Sequence, residues 1–191
     1  MNPKLATDAE IESLVSNLQT SPEDDIVAID ALLVTNPDDA RLHFMKGSVL
    51  AGRAEHIAAH QSLSRAVELA PDFAVARYQL GFFELTSGEA DRALSTWGPL
   101  LKESKENYLR IFVEGMVHLI RDEFSDAISK FESGIANNTE NEPMNGDILL
   151  LIKELRNKMP EDGETAVFGE DSGETSASAL LLGQFGNRTI N

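Results

Sequence analysis

The chain of 191 residues has no cysteine. That removes disulfides, thiolate metal sites and thiol nucleophiles together, and it is neutral about the compartment. The chain also lacks any apolar run long enough to cross a bilayer, which as a helix takes about 20 consecutive residues. The start, Met1-Asn2-Pro3-Lys4-Leu5-Ala6, carries no apolar core behind a basic segment, so no secretory signal is expected and the cytoplasm is the default location. Basic residues are scarce: 16 Lys and Arg stand against 32 Asp and Glu, a net charge of −16.

The distribution of that charge excludes further partners. Residues 1–39 hold one base and nine acids (−8), residues 40–141 eleven and fourteen (−3), residues 142–159 three of each, and residues 160–191 one and six (−5). A nucleic-acid binder needs a basic excess to displace counterions from phosphates, and no segment has one, so neither nucleic acid nor an anionic membrane is an expected partner. Acidic ends keep a protein with an apolar groove soluble, or steer it toward a basic partner.

Catalytic and metal motifs are missing as well. There is no phosphate-cradling glycine loop, no zinc-protease pattern and no nucleophile elbow. His56 and His60 are four apart on a predicted helix, a spacing that holds a metal, but no third ligand is placed to complete the set, so they read as ordinary helix residues. His43 and His118 fall on predicted helices with no nucleophile arranged around them. No enzyme activity, cofactor or metal is expected.

In what is present, spacing dominates. Three stretches, residues 40–73, 74–107 and 108–141, each begin 34 residues after the one before. Gly47, Gly81 and Gly115 fall in register, followed by Ala59, Ala93 and Ala127, then by the bulky column Leu63, Trp97 and Phe131. Pro3, Pro37 and Pro71 keep the same beat. Helix, turn, helix, with glycine in the first helix, alanine and then a bulky residue in the second, and proline at the exit, resembles the tetratricopeptide repeat over roughly residues 6–159. The resemblance implies an all-α superhelix of helical hairpins that binds protein segments. The partner is not written in the repeat consensus.

The same register divides the chain into a degenerate leading helix pair (1–39), three repeats (40–141), a closing helix (142–159) and a disordered acidic tail (160–191). In the leading pair, Thr7 and Glu10 form a capping box before a helix over about 8–18, and Ser21-Pro22 opens a second helix to about residue 34. Shifted by one repeat, Ser13, Asp25 and Ile29 lie under Gly47, Ala59 and Leu63. Gly88 suits a left-handed helix end. Gly98-Pro99 interrupts the second helix of the middle repeat and predicts a kink just after Trp97.

Residues 139–146 read as a polar loop, after which Ile148, Leu151, Ile152, Leu155 and Met159 recur at helical spacing and Pro160 stops the run. Such a helix covers the last apolar face of an array. Leu149 and Leu150 exceed that need; they pack on the loop or form a self-association surface. The tail is too polar to offset the entropy of ordering, apart from an apolar run over 179–185.

Projected at 100° per residue, the first helices of the repeats collect one stripe: Arg41, Phe44, Ser48 and Ala51; Val75, Tyr78, Phe82 and Leu85; Leu109, Phe112, Met116 and Leu119. By the resemblance these columns line a concave groove. With Arg41 as its one cation, the groove suits an apolar or amphipathic segment of a partner, unless neighbouring helices cover it. A chaperone for a hydrophobic secreted protein, like those of type III secretion, and a self-assembling module that forms a homo-oligomer through the closing helix are the alternatives. In the tail, Leu181, Leu182 and Phe185 form a docking motif for the groove. On the opposite face Lys46, Arg77, Glu84, Glu114 and His118 replace expected apolar residues, so either they are bridged into one network or the helices are rotated from the usual packing.

Overall fold

The computed structural model describes residues 4–17 and 22–158, and all the regular structure in them is helical. In order the helices are α1 (Asp8–Asn17), α2 (Pro22–Thr35), α3 (Ala40–Gly52), α4 (His56–Leu69), α5 (Ala74–Thr86), α6 (Ala90–Trp97), α7 (Tyr108–Ile120), α8 (Phe124–Asn137) and α9 (Glu142–Lys158), with a 3-10 turn at Leu100–Lys102. First helices start at Ala40, Ala74 and Tyr108, second helices at His56, Ala90 and Phe124, so both series step by 34 residues. Glu142, where α9 starts, is the next step of the first series.

Local chemistry sets the ends. The Thr7 backbone N–H donates to Glu10 Oε2 at 2.8 Å and the Glu10 N–H to Thr7 Oγ1 at 3.3 Å, a reciprocal cap on α1. Asp39 caps α3 by accepting from the Arg41 N–H at 3.0 Å, and Asn107 caps α7 by accepting from Leu109 and Arg110 at 2.9 and 3.2 Å. The three hairpin turns are copies of one motif. Ala54, Gly88 and Asp122 take φ of 57°, 83° and 60°. Each is followed by a glutamate whose N–H reaches back to the carbonyl five residues earlier: Glu55 to Leu50, Glu89 to Glu84 and Glu123 to His118, at 2.9–3.0 Å. This is the left-handed cap with its 6→1 hydrogen bond. The sequence shows it only at Gly88, because alanine and aspartate carry no such signature.

The glycine and bulky columns explain the pairing within a hairpin. A Cβ at Gly47, Gly81 or Gly115 would stand 2.6 Å from Leu63, 2.3 Å from Trp97 or 2.5 Å from Phe131. Those three side chains are fully buried, as are Ala59, Ala93 and Ala127 beside them. Trp97 adds a hydrogen bond from Nε1 to the Tyr78 carbonyl at 3.0 Å. In the leading pair Ile29 is likewise fully buried and Asp25 is 8% exposed, while α2 packs on α3.

Two boundaries differ from expectation. The residues after Trp97 do not bend a continuing helix: α6 ends at Trp97 and the chain passes through Gly98 and Pro99 into the 3-10 turn that buries Leu100. Proline has no N–H to give the ladder, and the tighter turn takes over. The stretch read as a loop to residue 146 is instead largely helix. Asn141 Oδ1 accepts from the Met144 N–H at 3.3 Å, and Asn138 Oδ1 from the Asn141 N–H at 2.9 Å. The asparagines that suggested a loop are a cap, Pro143 sits in the first turn, and Gly146 lies inside α9.

Candidate partner-binding surface

The stripe expected to line an open groove divides into a closed and an accessible part. Tyr78, Leu85, Leu109, Phe112, Met116 and Leu119 are each 4% exposed or less, in one apolar core with Ile148, Leu151, Ile152 and Leu155 of α9. The Tyr78 and Phe112 rings lie 6.3 Å apart, and Tyr108 meets Phe112 edge-on at 5.9 Å. Burial, with the carboxylate of Asp147 on α9 adding to it, pushes the Tyr78 phenol far up from its ordinary value. A residue of α9 therefore stands within electrostatic reach of the middle repeat. The expectation of an open groove is corrected for these six: they are buried in the core that Ile148, Leu151, Ile152 and Leu155 of α9 also join, where α9 packs chiefly on α8, and burying each large apolar side chain is worth about 1.5–3 kcal/mol.

Arg41, Phe44, Ser48, Val75 and Phe82, on α3 and α5, remain half-buried. Phe44 packs tilted on Phe73 at 5.2 Å, and Phe82 stacks on Tyr78 at 6.4 Å. The Ser48 hydroxyl donates to the Phe44 carbonyl at 3.0 Å. Arg41 is already engaged. Its Nε and Nη2 donate to Asp39 at 3.1 and 2.8 Å, Nη1 donates to Asp8 at 3.0 Å, and Nη2 also reaches the Ala6 carbonyl. Asp39, 1% exposed, accepts the Ala6 N–H at 2.9 Å as well. The pair ties the segment before α1 to the start of α3. The sequence marks Arg41 by type but not by partner, since Ala6 is 35 residues away.

The charged column on the opposite face forms no single network. Lys46 pairs with Asp30 of α2 at 2.6 Å. Arg77 donates to the carbonyls of Thr96 and Pro71. Glu114 takes Arg110 at 2.9 Å and Lys130 of α8 at 2.6 Å, and His118 meets Glu123 at 2.6 Å. Each of these side chains finds a separate local partner, as polar groups partly withdrawn from water require.

Glu84 is the buried member, 4% exposed, held by the Thr96 hydroxyl at 2.7 Å and by His60 Nε2 at 3.3 Å. It borders a pocket of about 360 Å³ between α4, α5 and α6, walled by His56, His60, Phe83 and Arg92. The two histidines expected to be ordinary helix residues lie against the Phe83 ring, at 6.0 and 6.4 Å. Among the described residues the ligating atoms that converge within 4.8 Å are those of His118, half-buried, and Glu123 and Asp126, both exposed, around the α7–α8 turn. The tail motif of Leu181, Leu182 and Phe185, and Met159, lie outside the described residues.

No helix among the described residues is long and apolar enough to cross a membrane. No family model and no curated protein matches the chain. Among solved structures, the MamA RS-1 ArsTM double mutant, a tetratricopeptide-like helical repeat protein, superposes with a TM-score of 0.54 over 81% of this chain and 96% of that one, at 13% identity. At that identity the likeness speaks for the fold: an all-α, tetratricopeptide-like array.

Proposed function

We propose that the chain is a non-enzymatic protein-interaction scaffold that holds an apolar or amphipathic segment of a partner protein on α3 and α5. The observation that supports this is the division of the stripe: α9 joins the core over the middle and last repeats, while Phe44, Val75 and Phe82 keep part of their surface accessible. Rigid aromatic rings at the edge of a packed core are the anchors that dominate binding of apolar segments. Ser48 and the engaged Arg41 offer little to a charged ligand at this place.

A peptide-display selection on the full chain tests the reading. Selected peptides should carry apolar residues at helical or alternate spacing, and Phe82→Asp should abolish their binding while His60→Ala, in the pocket on the other face, leaves it unchanged. Selection of acidic peptides, or binding indifferent to Phe82→Asp, would overturn it. A preference for long hydrophobic segments over short ones would favour the chaperone role over a signalling adaptor.

A further inference from the structure

Helix α9 is a first helix without a second among the described residues. It begins one repeat length after Tyr108, and the position held by Gly47, Gly81 and Gly115 in the repeats is here Leu149. In the repeats even a Cβ at that position would strike the partnering helix. A leucine forbids that close hairpin, and Leu149 stands 54% exposed with Leu150 39% exposed beside it. While Ile148, Leu151, Ile152 and Leu155 face the core, the helical projection gathers Glu142, Gly146, Leu149, Leu150, Lys153 and Arg156 on the opposite side.

Three observations on that side point to one occupant. The first is Gly146. Gly47, Gly81, Gly115 and Gly134 are each required by a bulky side chain pressed against them, whereas nothing lies within 4 Å of the Cβ that Gly146 lacks. A glycine at an exposed helix position destabilises relative to alanine, and with no described residue pressed against it Gly146 leaves room for a close approach. The second is charge. Residues 142–159 carry three acids and three bases, in a chain of −16 whose first 39 residues hold −8, so two copies can meet here without the repulsion that opposes contact through the acidic leading pair. The third is polarity along the stripe. Glu142 stands at its start and Lys153 and Arg156 at its end, so antiparallel pairing of two such helices sets acid against base at both ends. That self-complementarity is what a two-fold interface demands. Arg156 bonds Glu132 of α8 at 2.5 Å and is still 60% exposed, open to a second acid.

We propose that the chain forms a two-fold homodimer through antiparallel pairing of α9 from two copies, Leu149 and Leu150 of each meeting over Gly146 of the other. The surface is separate from Phe44 and Phe82 and does not depend on what they bind.

Sedimentation of the full chain across about a hundredfold range of concentration tests it. The expected mass is twice 20.9 kDa at the upper end, and 20.9 kDa for Leu149→Asp under the same conditions with an unchanged helical spectrum. Gly146→Ala should act in opposite directions, raising the melting temperature of the dilute monomer while weakening the dimer by roughly tenfold or more. Because the chain has no cysteine, Leu149→Cys should give a disulfide-linked dimer on mild oxidation, and Val34→Cys, at a site 83% exposed on α2, should not. A 20.9 kDa species at every concentration, or a dimer that survives Leu149→Asp, overturns the proposal. So does a monomer in which deleting residues 176–191 moves the Leu149 amide signal, since the apolar run of the tail would then be the occupant.

Discussion

A Cβ at Gly134 on α8 would stand 2.3 Å from Cε1 of Phe112 on α7. The ring is therefore locked into the second helix of its own hairpin, and its place on the sequence stripe reports core packing. Phe112→Ala should cost about 3–5 kcal/mol in urea denaturation, the usual penalty for emptying a buried aromatic site. Gly134→Ala should cost about 1–3 kcal/mol through overpacking against the same ring. A loss under about 1 kcal/mol for Phe112→Ala would show that the ring is not core.

The hairpin turns offer a test of opposite sign. Ala54 and Asp122 hold the left-handed conformation that Gly88 adopts at the equivalent place. Ala54→Gly and Asp122→Gly should each stabilise by about 0.5–1 kcal/mol, and Gly88→Ala should destabilise by about 1–2 kcal/mol. Thermal melts of the three variants check this, and a destabilising Ala54→Gly would contradict the turn geometry.

These cases mark what the sequence displays. The 34-residue step, the glycine against its bulky partner and the Thr7–Glu10 cap are local or periodic, so the order of residues along the chain reveals them. The closing of the stripe depends on where α9 docks. A helical projection gives the width of an apolar face on α7, yet it is silent on whether Ile148 and Leu155 lie over it. Arg41 failed as a groove cation for a related reason: its partners Asp8 and Ala6 are more than thirty residues away. The misread loop before residue 146 had another cause, since an asparagine that caps a helix and one that makes a turn are the same letter.

Acid should loosen the N-terminal segment. Burial alone would raise the Asp39 carboxyl, but hydrogen bonds from Arg41 and the Ala6 N–H outweigh it and hold the group below its ordinary 3.8. Burial opposes Glu114 in the same way, and the bonds from Lys130 and Arg110 hold it below its ordinary 4.5. For a group whose pKa is lowered on folding, the stabilisation is complete above the unfolded value and is lost as pH falls through the folded one. Melting temperature should therefore be nearly flat from neutrality to about pH 5 and fall below about pH 4.5. Asp39→Asn should lower the plateau and flatten the fall. A melting temperature that rises on acidification through this window would contradict the assignment.

Peptides ending in acidic carboxylate motifs should not bind the α3–α5 surface. A terminal carboxylate needs cationic donors held free for it, and the Arg41 donors are committed to Asp39, Asp8 and the Ala6 carbonyl. Titration calorimetry with such a peptide should give no heat of binding, and low-micromolar affinity would show that Arg41 is available.

The central claim is that α9 belongs to one core with the buried part of the stripe in the middle and last repeats, and native-state hydrogen exchange on the intact chain measures it residue by residue. If α9 is core, the amides of Leu151, Ile152 and Leu155 exchange as slowly as those of Phe112 and Met116, through the same cooperative opening. If instead α9 exchanges freely while α7 and α8 stay protected, the helix is loosely held, the stripe is an open groove, and the account is wrong.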